Sequence, residues 1–532
     1  MIKIKIYKET GAEPVECEVK AGTSIEELLG EYRSHLPWRV IMARVGGEDT
    51  ALSYKLRRGC DLTFCDIRDD AANRAFQRGL LLLFLKAVHD IQGDGANVEI
   101  CNSVNRGIFT TIGFGDCAGG GSKIDEDALR QIEKRMWELV DRNIPINVDL
   151  KTNDCELDGY TNNFYGIMPV STGYIYSFAL EQTRGGVLVR FPHSSDPGKL
   201  SIYRRDAKIF EAYEEEQALL DSLDMRYISD LNRQIKAGGA TDIIRMAEER
   251  QSANIDKLAE TIKGAGKRVV LIAGPSSSGK TTFSKRLIES LKAHGGPEPL
   301  YLGTDDYFID REFAPRDKKG EFNFEGLDAV DVALFVRNIE ELLAGKTANI
   351  PTYDFIAGKK IFGPRKCRLK KDQVVVVEGI HALNKKMSVG IEENVKFKVY
   401  ISPLTQLNID NHNRVPSTDV RVLRRMIRDN RTRGYSAIDT LRQWPKVRAG
   451  ESVNIFPYNN EADEVFNTTL VYELPILKKY AEPLLKEIKP GEAAHGHAKW
   501  LLYFLSFFTG IEDESAIPPY SILREFIGGS CY

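Results

Sequence analysis

The sequence predicts an α/β fold, with a parallel sheet and flanking helices in the carboxyl-terminal half, preceded by a small strand-rich unit and an α+β region. Three observations lead to it. Short continuous apolar runs at residues 269–273, 374–377 and 397–401 read as strands covered on both faces, with helical patterns between them. The first run leads directly into the glycine-bounded turn Gly274-Pro275-Ser276-Ser277-Ser278-Gly279-Lys280-Thr281, which opens a helix. The first 66 residues instead alternate apolar and polar positions, as half-buried strands do.

Composition narrows the class. The 532 residues suffice for three or four domains of about 150 residues each. Hydrophobic residues at 42 % and charged residues at 28 % are ordinary for a globular chain and argue against wholesale disorder. With 73 Lys and Arg against 76 Asp and Glu, the net charge of −3 gives no global attraction for nucleic acid or anionic lipid. The longest apolar runs, residues 80–85 and 501–508, are too short to span a bilayer, so no membrane partner is expected. The amino end has no continuous signal-peptide core. Eight scattered cysteines without a C-x-x-C pair point to reduced thiols and a cytoplasmic location.

In chain order, Ile2, Ile4 and Ile6 share one strand face, and residues 15–19 repeat the alternation. Thr23 or Ser24 caps a short helix with Glu26 and Glu27 in its first turn. Strand-like residues 40–45 and 61–67 complete a β-grasp pattern over residues 1–66. An α+β region over residues 67–240 opens with the apolar helix through 80–88. A second helix at 125–140 places Leu129, Ile132, Met136 and Leu139 at helical spacing, and strand-like pieces follow at 174–178 and 186–191. Residues 241–266 read as a helical connector ending in Gly264-Ala265-Gly266. The parallel α/β unit occupies residues 267–490, and residues 491–532 form a carboxyl-terminal extension whose apolar run packs as a helix.

The glycine-bounded turn fits G-x-x-x-x-G-K-[ST] in the context the pattern requires, between an apolar strand and a helix carrying Phe283, Leu287, Ile288 and Leu291 on one face. Backbone N–H groups of such a loop and the helix amino terminus face phosphates. Residues 274–281 together with Thr282 therefore form the expected ATP site, with Lys280 neutralising the β and γ phosphates and Thr281 offering a hydroxyl to Mg²⁺. A GTPase would carry N-K-x-D, whereas Asn384-Lys385 continues Lys386-Met387. Glu378 brings a single carboxylate to the end of the second apolar strand, where a metal would sit. Asp305 and Asp306 follow another strand, and such a pair can hold Mg²⁺ and take a proton from an attacking hydroxyl. Arg421, Arg424, Arg425 and Arg428 recur at helical spacing as one basic face, extended by Arg431 and Arg433, with Gly434 to close the helix. That face suits a lid over ATP, a solvated surface or an RNA contact.

In this order the motifs resemble the uridine kinase/phosphoribulokinase family. The likeness rests on residues 274–282, Asp305-Asp306-Tyr307-Phe308, Phe322-Asn323-Phe324-Glu325-Gly326, Ile350-Pro351-Thr352-Tyr353-Asp354-Phe355, Glu378-Gly379-Ile380 and the arginine run. It implies an ATP-dependent kinase in which Asp305 deprotonates the acceptor hydroxyl and Lys280, Arg428 and Arg433 act on the transferring group. It further implies that Arg425 meets ATP phosphates and that Thr281, Asp305 and Glu378 surround Mg²⁺. Asp306, Tyr307, Glu325, Tyr353 and Phe355 would line the acceptor side, and His381 is read with them. The implied acceptor is the 5′-hydroxyl of a nucleoside. Gly358 stands where pyrimidine kinases place a base-contacting histidine, Tyr435 replaces a further lid arginine, and residues 410–420 are additional, so a sugar phosphate or another alcohol stays open as acceptor.

Residues 1–66 also resemble a TGS domain, and residues 125–146 the second additional domain of threonyl-tRNA synthetase. The helix that carries an H-x-x-x-H pair in that family has only His89, so no editing chemistry is expected. An RNA contact through these units, self-association, and an ATP-binding regulator of RNA or ribosomes remain open readings.

Overall fold

The computed structural model describes every residue except 10, 105–106, 115–123, 184, 201–206, 317–319, 321, 364 and 493. Alternation at the amino terminus becomes strand Ile2–Tyr7, with Ile4 and Ile6 buried. It pairs antiparallel with Val15–Val19 and parallel with Cys60–Asp66; Val40–Val45 and Glu48–Thr50 extend the sheet beyond Cys60–Asp66. Ser24 caps helix Ile25–Tyr32 reciprocally with Glu27: the Glu27 N–H donates to Ser24 Oγ at 3.2 Å, and the Ser24 N–H donates to Glu27 Oε2 at 2.9 Å.

Asp69 caps the long helix Asp70–Gln92, which buries Leu80 through Val88. Helix Glu126–Asp141 packs beside it with Leu129, Ile132, Met136 and Leu139 inward, as their spacing predicts. A four-stranded antiparallel sheet runs in the order Ala179–Thr183, Gly186–Arg190, Gly107–Phe114, Ala96–Val104. One continuous apolar core extends from Ile4 to Phe191 and includes residues of the five-stranded and four-stranded sheets. Residues 174–178, expected as a strand, instead leave the 3-10 turn Thr172–Tyr174 as irregular chain. Tyr174, Ile175 and Phe178 are buried there by packing, without the alternation that strand pairing imposes.

In the carboxyl-terminal half, five parallel strands lie in the order Leu300–Gly303, Val375–Glu378, Val269–Ala273, Lys396–Ser402, Glu464–Asn467. Val269 and Leu271 face one apolar layer, roofed by helix Val332–Leu343; Val270 and Ile272 face another, roofed by Lys280–Ala293 and Ala240–Gly264. Coverage on both faces is why these strands read as unbroken apolar runs. Helices Ile228–Lys236, Ser417–Arg433, Ala437–Asn454, Glu473–Lys486 and His495–Ser506 share a further core at the sheet's edge. No helix among the described residues is long and apolar enough to cross a membrane.

The segment just before the arginine helix joins the two halves. The Ile100 N–H donates to the Asn411 carbonyl at 2.8 Å, and Asn408 Nδ2 donates to the Ile100 carbonyl at 3.3 Å. Asn413 Nδ2 reaches the Asn163 carbonyl at 2.9 Å and both Asp410 carboxylate oxygens at 3.0 Å. Arg414 donates to Ser103 Oγ at 2.9 Å. Beyond this clasp, Arg74 of the long amino-terminal helix lies 3.7 Å from Asp419, which also accepts from Trp500 Nε1 at 2.7 Å. Because Asn413 is buried and the Asn163 carbonyl loses the donor its side chain provides, Asn413→Ala is expected to cost about 1–3 kcal/mol of stability. Urea unfolding checks this; an unchanged midpoint removes Asn413 from the clasp.

Candidate functional site

The phosphate loop leaves strand Val269–Ala273 at the sheet's carboxyl-terminal edge, beside the point where the strand order reverses. Ser277 at φ 59° and Gly279 at φ 87° take left-handed conformations that curl the loop into helix Lys280–Ala293. Lys280 Nζ folds back onto the carbonyls of Gly274 and Pro275, at 3.1 and 3.2 Å.

Two carboxylates meet this loop from neighbouring strands. Asp305 lies in the 3-10 turn Thr304–Tyr307 after strand Leu300–Gly303, and Glu378 ends the adjacent strand, in register with Gly303 and Ile272. Thr281 Oγ1 donates to Glu378 Oε2 at 3.4 Å, and the Tyr301 hydroxyl donates to the same oxygen at 3.0 Å. Burial pushes the Glu378 carboxyl up to about 7, with Lys280 opposing the shift and Asp305 adding to it. Asp305 is open to solvent at the cleft mouth, but protein crowds its other sides. That desolvation raises its pKa, Lys280 and Arg433 pull it down, and Asp306 pushes it up. A hydroxyl and two carboxylates on one side of the lysine are the donor set a hard cation takes alongside phosphate oxygens and water. Among the described residues no three or more His, Cys, Asp or Glu side chains are grouped so as to hold a metal ion.

The arginine helix departs from the expected single basic face. Arg421 and Arg424 are buried and point onto the loop, not into solvent. Arg421 Nε donates to the Ser276 carbonyl at 3.1 Å and pairs with the fully buried Glu451, which also accepts the Ser276 N–H at 3.0 Å. Burial pulls the Arg421 guanidinium down to about 10, against the opposing charge of Glu451, so it stays charged at neutral pH. Arg424 pairs with Glu473 at 2.7 Å and donates to the carbonyls of Ser277 and Thr468. Arg425 Nη1 reaches Ser276 Oγ at 2.8 Å. Buried Asp429 gathers Arg425, Arg428 and Arg433 at 3.2, 2.7 and 3.5 Å. Arg433, half exposed, is near enough to Asp305 for each to act on the other's ionisation. Gly434, at φ 70°, ends the helix. The signal missed in the sequence is that Arg421 and Arg424 adjoin apolar residues 422, 423, 426 and 427, all of them buried. Nothing in the local sequence marks Glu451 or Glu473 as their partners.

The residues expected to line an acceptor divide. Glu325 packs against Gly450, and burial raises its carboxyl pKa while the Arg425 charge opposes this. Tyr353 and Phe355 stack edge-on with Phe308, and Phe355 is exposed. Asp306 is engaged in structure: Arg365 Nη1 donates to Oδ2 at 2.7 Å, and the Tyr353 N–H to Oδ1 at 3.4 Å. Two expectations are corrected. Tyr307 is fully buried against Phe335 with its hydroxyl on Asn338, so it belongs to the core and cannot reach a ligand. His381 is 1 % exposed, and burial pushes its pKa down to about 4, so it is a neutral core residue. At Gly358, φ is +68° and a Cβ would lie 2.8 Å from Arg311 Cβ. Arg311 occupies the space there and bonds the carbonyls of Phe355 and Ile356.

Residues 269–473 match the model of the Phosphoribulokinase / Uridine kinase family. A uridine kinase of Staphylococcus aureus (strain JH9) is 29 % identical over 179 residues, covering 34 % of this chain and 76 % of the relative. Two solved structures overlap more loosely. A "Possible Uridine Kinase" from Bacillus stearothermophilus gives a TM-score of 0.28 at 23 % identity, over 41 % of this chain and 100 % of that one. D-glycerate 3-kinase from Cryptococcus neoformans gives 0.24 at 13 %, over 48 % and 88 %. Overlaps that small carry no argument; the family match does.

Glu451→Ala leaves Arg421 buried without its countercharge and the Ser276 N–H without its acceptor. A loss of about 3–5 kcal/mol in urea unfolding is expected. His381 titrates near 6.5 in its ordinary state and near 4 when folded. Between those values the unfolded chain binds more protons, so stability falls as pH drops through this window. Unfolding at pH 7 and pH 5 should show a smaller pH dependence in His381→Phe than in the parent chain.

Proposed function

We propose that residues 267–490 form an ATP-dependent phosphotransferase that moves the γ-phosphoryl group to a hydroxyl of a small molecule, in the first reading the 5′-hydroxyl of a nucleoside. The observation that carries this is the convergence of Lys280, Thr281, Asp305 and Glu378 at the carboxyl-terminal edge of neighbouring parallel strands, within the segment that matches the family model. Loop amides and Lys280 hold the phosphates, Lys280 exchanging two backbone carbonyls for phosphate oxygens. Thr281, Glu378 and Asp305 would hold Mg²⁺, which would supply charge neutralisation for the phosphates. Asp305, at the turn after its strand, accepts the acceptor's proton. Arg433 faces the same space from the end of its helix, with Arg428 and Arg425 beside it on Asp429, and they counter the charge on the transferring group.

Arg311 favours a second acceptor class. It fills the space at Gly358 and lies close enough to Tyr353 to act on its hydroxyl, so a fixed cation edges the acceptor side. A sugar phosphate or another anionic alcohol would be matched by that charge. The chain with Mg·ATP, set against nucleosides, sugar phosphates, simple alcohols and RNA, separates these readings: a phosphorylated nucleoside supports the first, a phosphorylated anionic alcohol the second, and ATP turnover only with RNA overturns both. In the chain that shows transfer, Asp305→Asn should keep ATP affinity within a few-fold and lose transfer by about 10³-fold or more. Near-parent turnover in that variant removes Asp305 from the base role.

A further inference from the structure

The extreme carboxyl-terminal residues lie against the phosphate loop. Glu525 Oε2 accepts hydrogen bonds from both the Thr282 N–H, at 3.3 Å, and Thr282 Oγ1, at 2.9 Å. Ile522 presses on Gly279, where a Cβ would come within 2.4 Å of its Cγ2. The guanidinium of Arg424 stacks over the Phe526 ring at 5.1 Å. Arg431 holds the segment from outside, donating to the carbonyls of Glu525 and Phe526 at 3.1 and 3.2 Å. Arg524 anchors it to Glu514 at 3.2 Å, and Ser521 to Glu248 at 2.5 Å.

Two features that a nucleotide would use are thereby engaged: an N–H in the first turn of the loop's helix and the bare α-carbon of Gly279. An anionic group and an aliphatic side chain from one short stretch of chain occupy them together. We propose that residues 521–527 are a built-in occupant of the nucleoside side of the nucleotide site, that the Glu525 carboxylate stands in for a phosphate at Thr282, and that ATP binds by displacing it. This rests on the ATP-binding reading above. Glu525 thereby sets the nucleotide affinity: its charge repels the incoming phosphates and competes for their donor.

The full-length chain and its Glu525→Ala and Lys280→Ala variants are titrated with Mg·ATP by calorimetry. Glu525→Ala is expected to bind ATP about tenfold more tightly, a shift opposite in sign to that from loss of a supporting contact. Unchanged or weaker binding by a variant that unfolds like the parent overturns the proposal. Hydrogen exchange on the parent chain tests it without a substitution. ATP should speed amide exchange in residues 521–527, and added protection there overturns the displacement. If Lys280→Ala abolishes binding while Glu525→Ala changes nothing, this inference alone fails. If neither the parent chain nor Glu525→Ala binds ATP, the phosphate-loop reading fails with it.

Discussion

Two buried ion pairs, Arg421 with Glu451 and Arg424 with Glu473, bind the arginine helix to the phosphate loop, and the cleft takes its shape from them. The guanidiniums take up the outward carbonyls of Ser276 and Ser277, while Glu451 takes the Ser276 N–H. With those groups engaged on the outer side, the loop is braced from behind. Charges this deeply buried are tolerated only in company. Each guanidinium here has a carboxylate and at least one backbone carbonyl. The same helix then delivers Arg425, Arg428 and Arg433 to the open side through a single shared acid, Asp429. One element therefore serves as scaffold along its buried side and as cation source at its far end.

The parallel sheet, the loop and the positions of Asp305 and Glu378 were legible because each is written locally. Apolar runs covered on both faces, a loop with fixed glycine spacing, and carboxylates immediately after strands need no distant partner to be read. Pairing across the fold was not legible. Arg421 and Arg424 read as part of one basic face, suited to a lid, a solvated surface or an RNA contact, because their carboxylates lie 30 and 49 residues away. Tyr307 reads with the site because it belongs to the motif Asp305-Asp306-Tyr307-Phe308 that carries the resemblance, yet the turn at Thr304–Tyr307 sends it into the core beside Phe335. Residues 174–178 have strand-like composition, but the 3-10 turn before them and burial without a pairing neighbour make them irregular. Periodicity records which residues are apolar; it does not record what covers them.

The segment ahead of the arginine helix shows how a connecting stretch acquires a structural role. Asn408, Asn411, Asn413 and Arg414 spend their polar groups on backbone and side chains of the amino-terminal sheets. Short polar side chains suit this task, since they can satisfy exposed strand-end groups that apolar residues would leave bare. The seam between the halves is therefore hydrogen-bonded and directional, in contrast to the continuous apolar core on its amino-terminal side.

The arginine helix also has a mechanical aspect. Its 17 residues make a rod about 25 Å long, with Asp419 in the first turn touching Arg74 and Arg433 at the opposite tip facing Asp305. A rod of that length magnifies rotation: a tilt of about 10° at the Asp419 end sweeps the Arg433 end through roughly 4 Å. The buried pairs of Arg421 and Arg424, close to the Asp419 end, therefore fix the direction in which the Arg433 end points, about 20 Å from the contact with the amino-terminal helix.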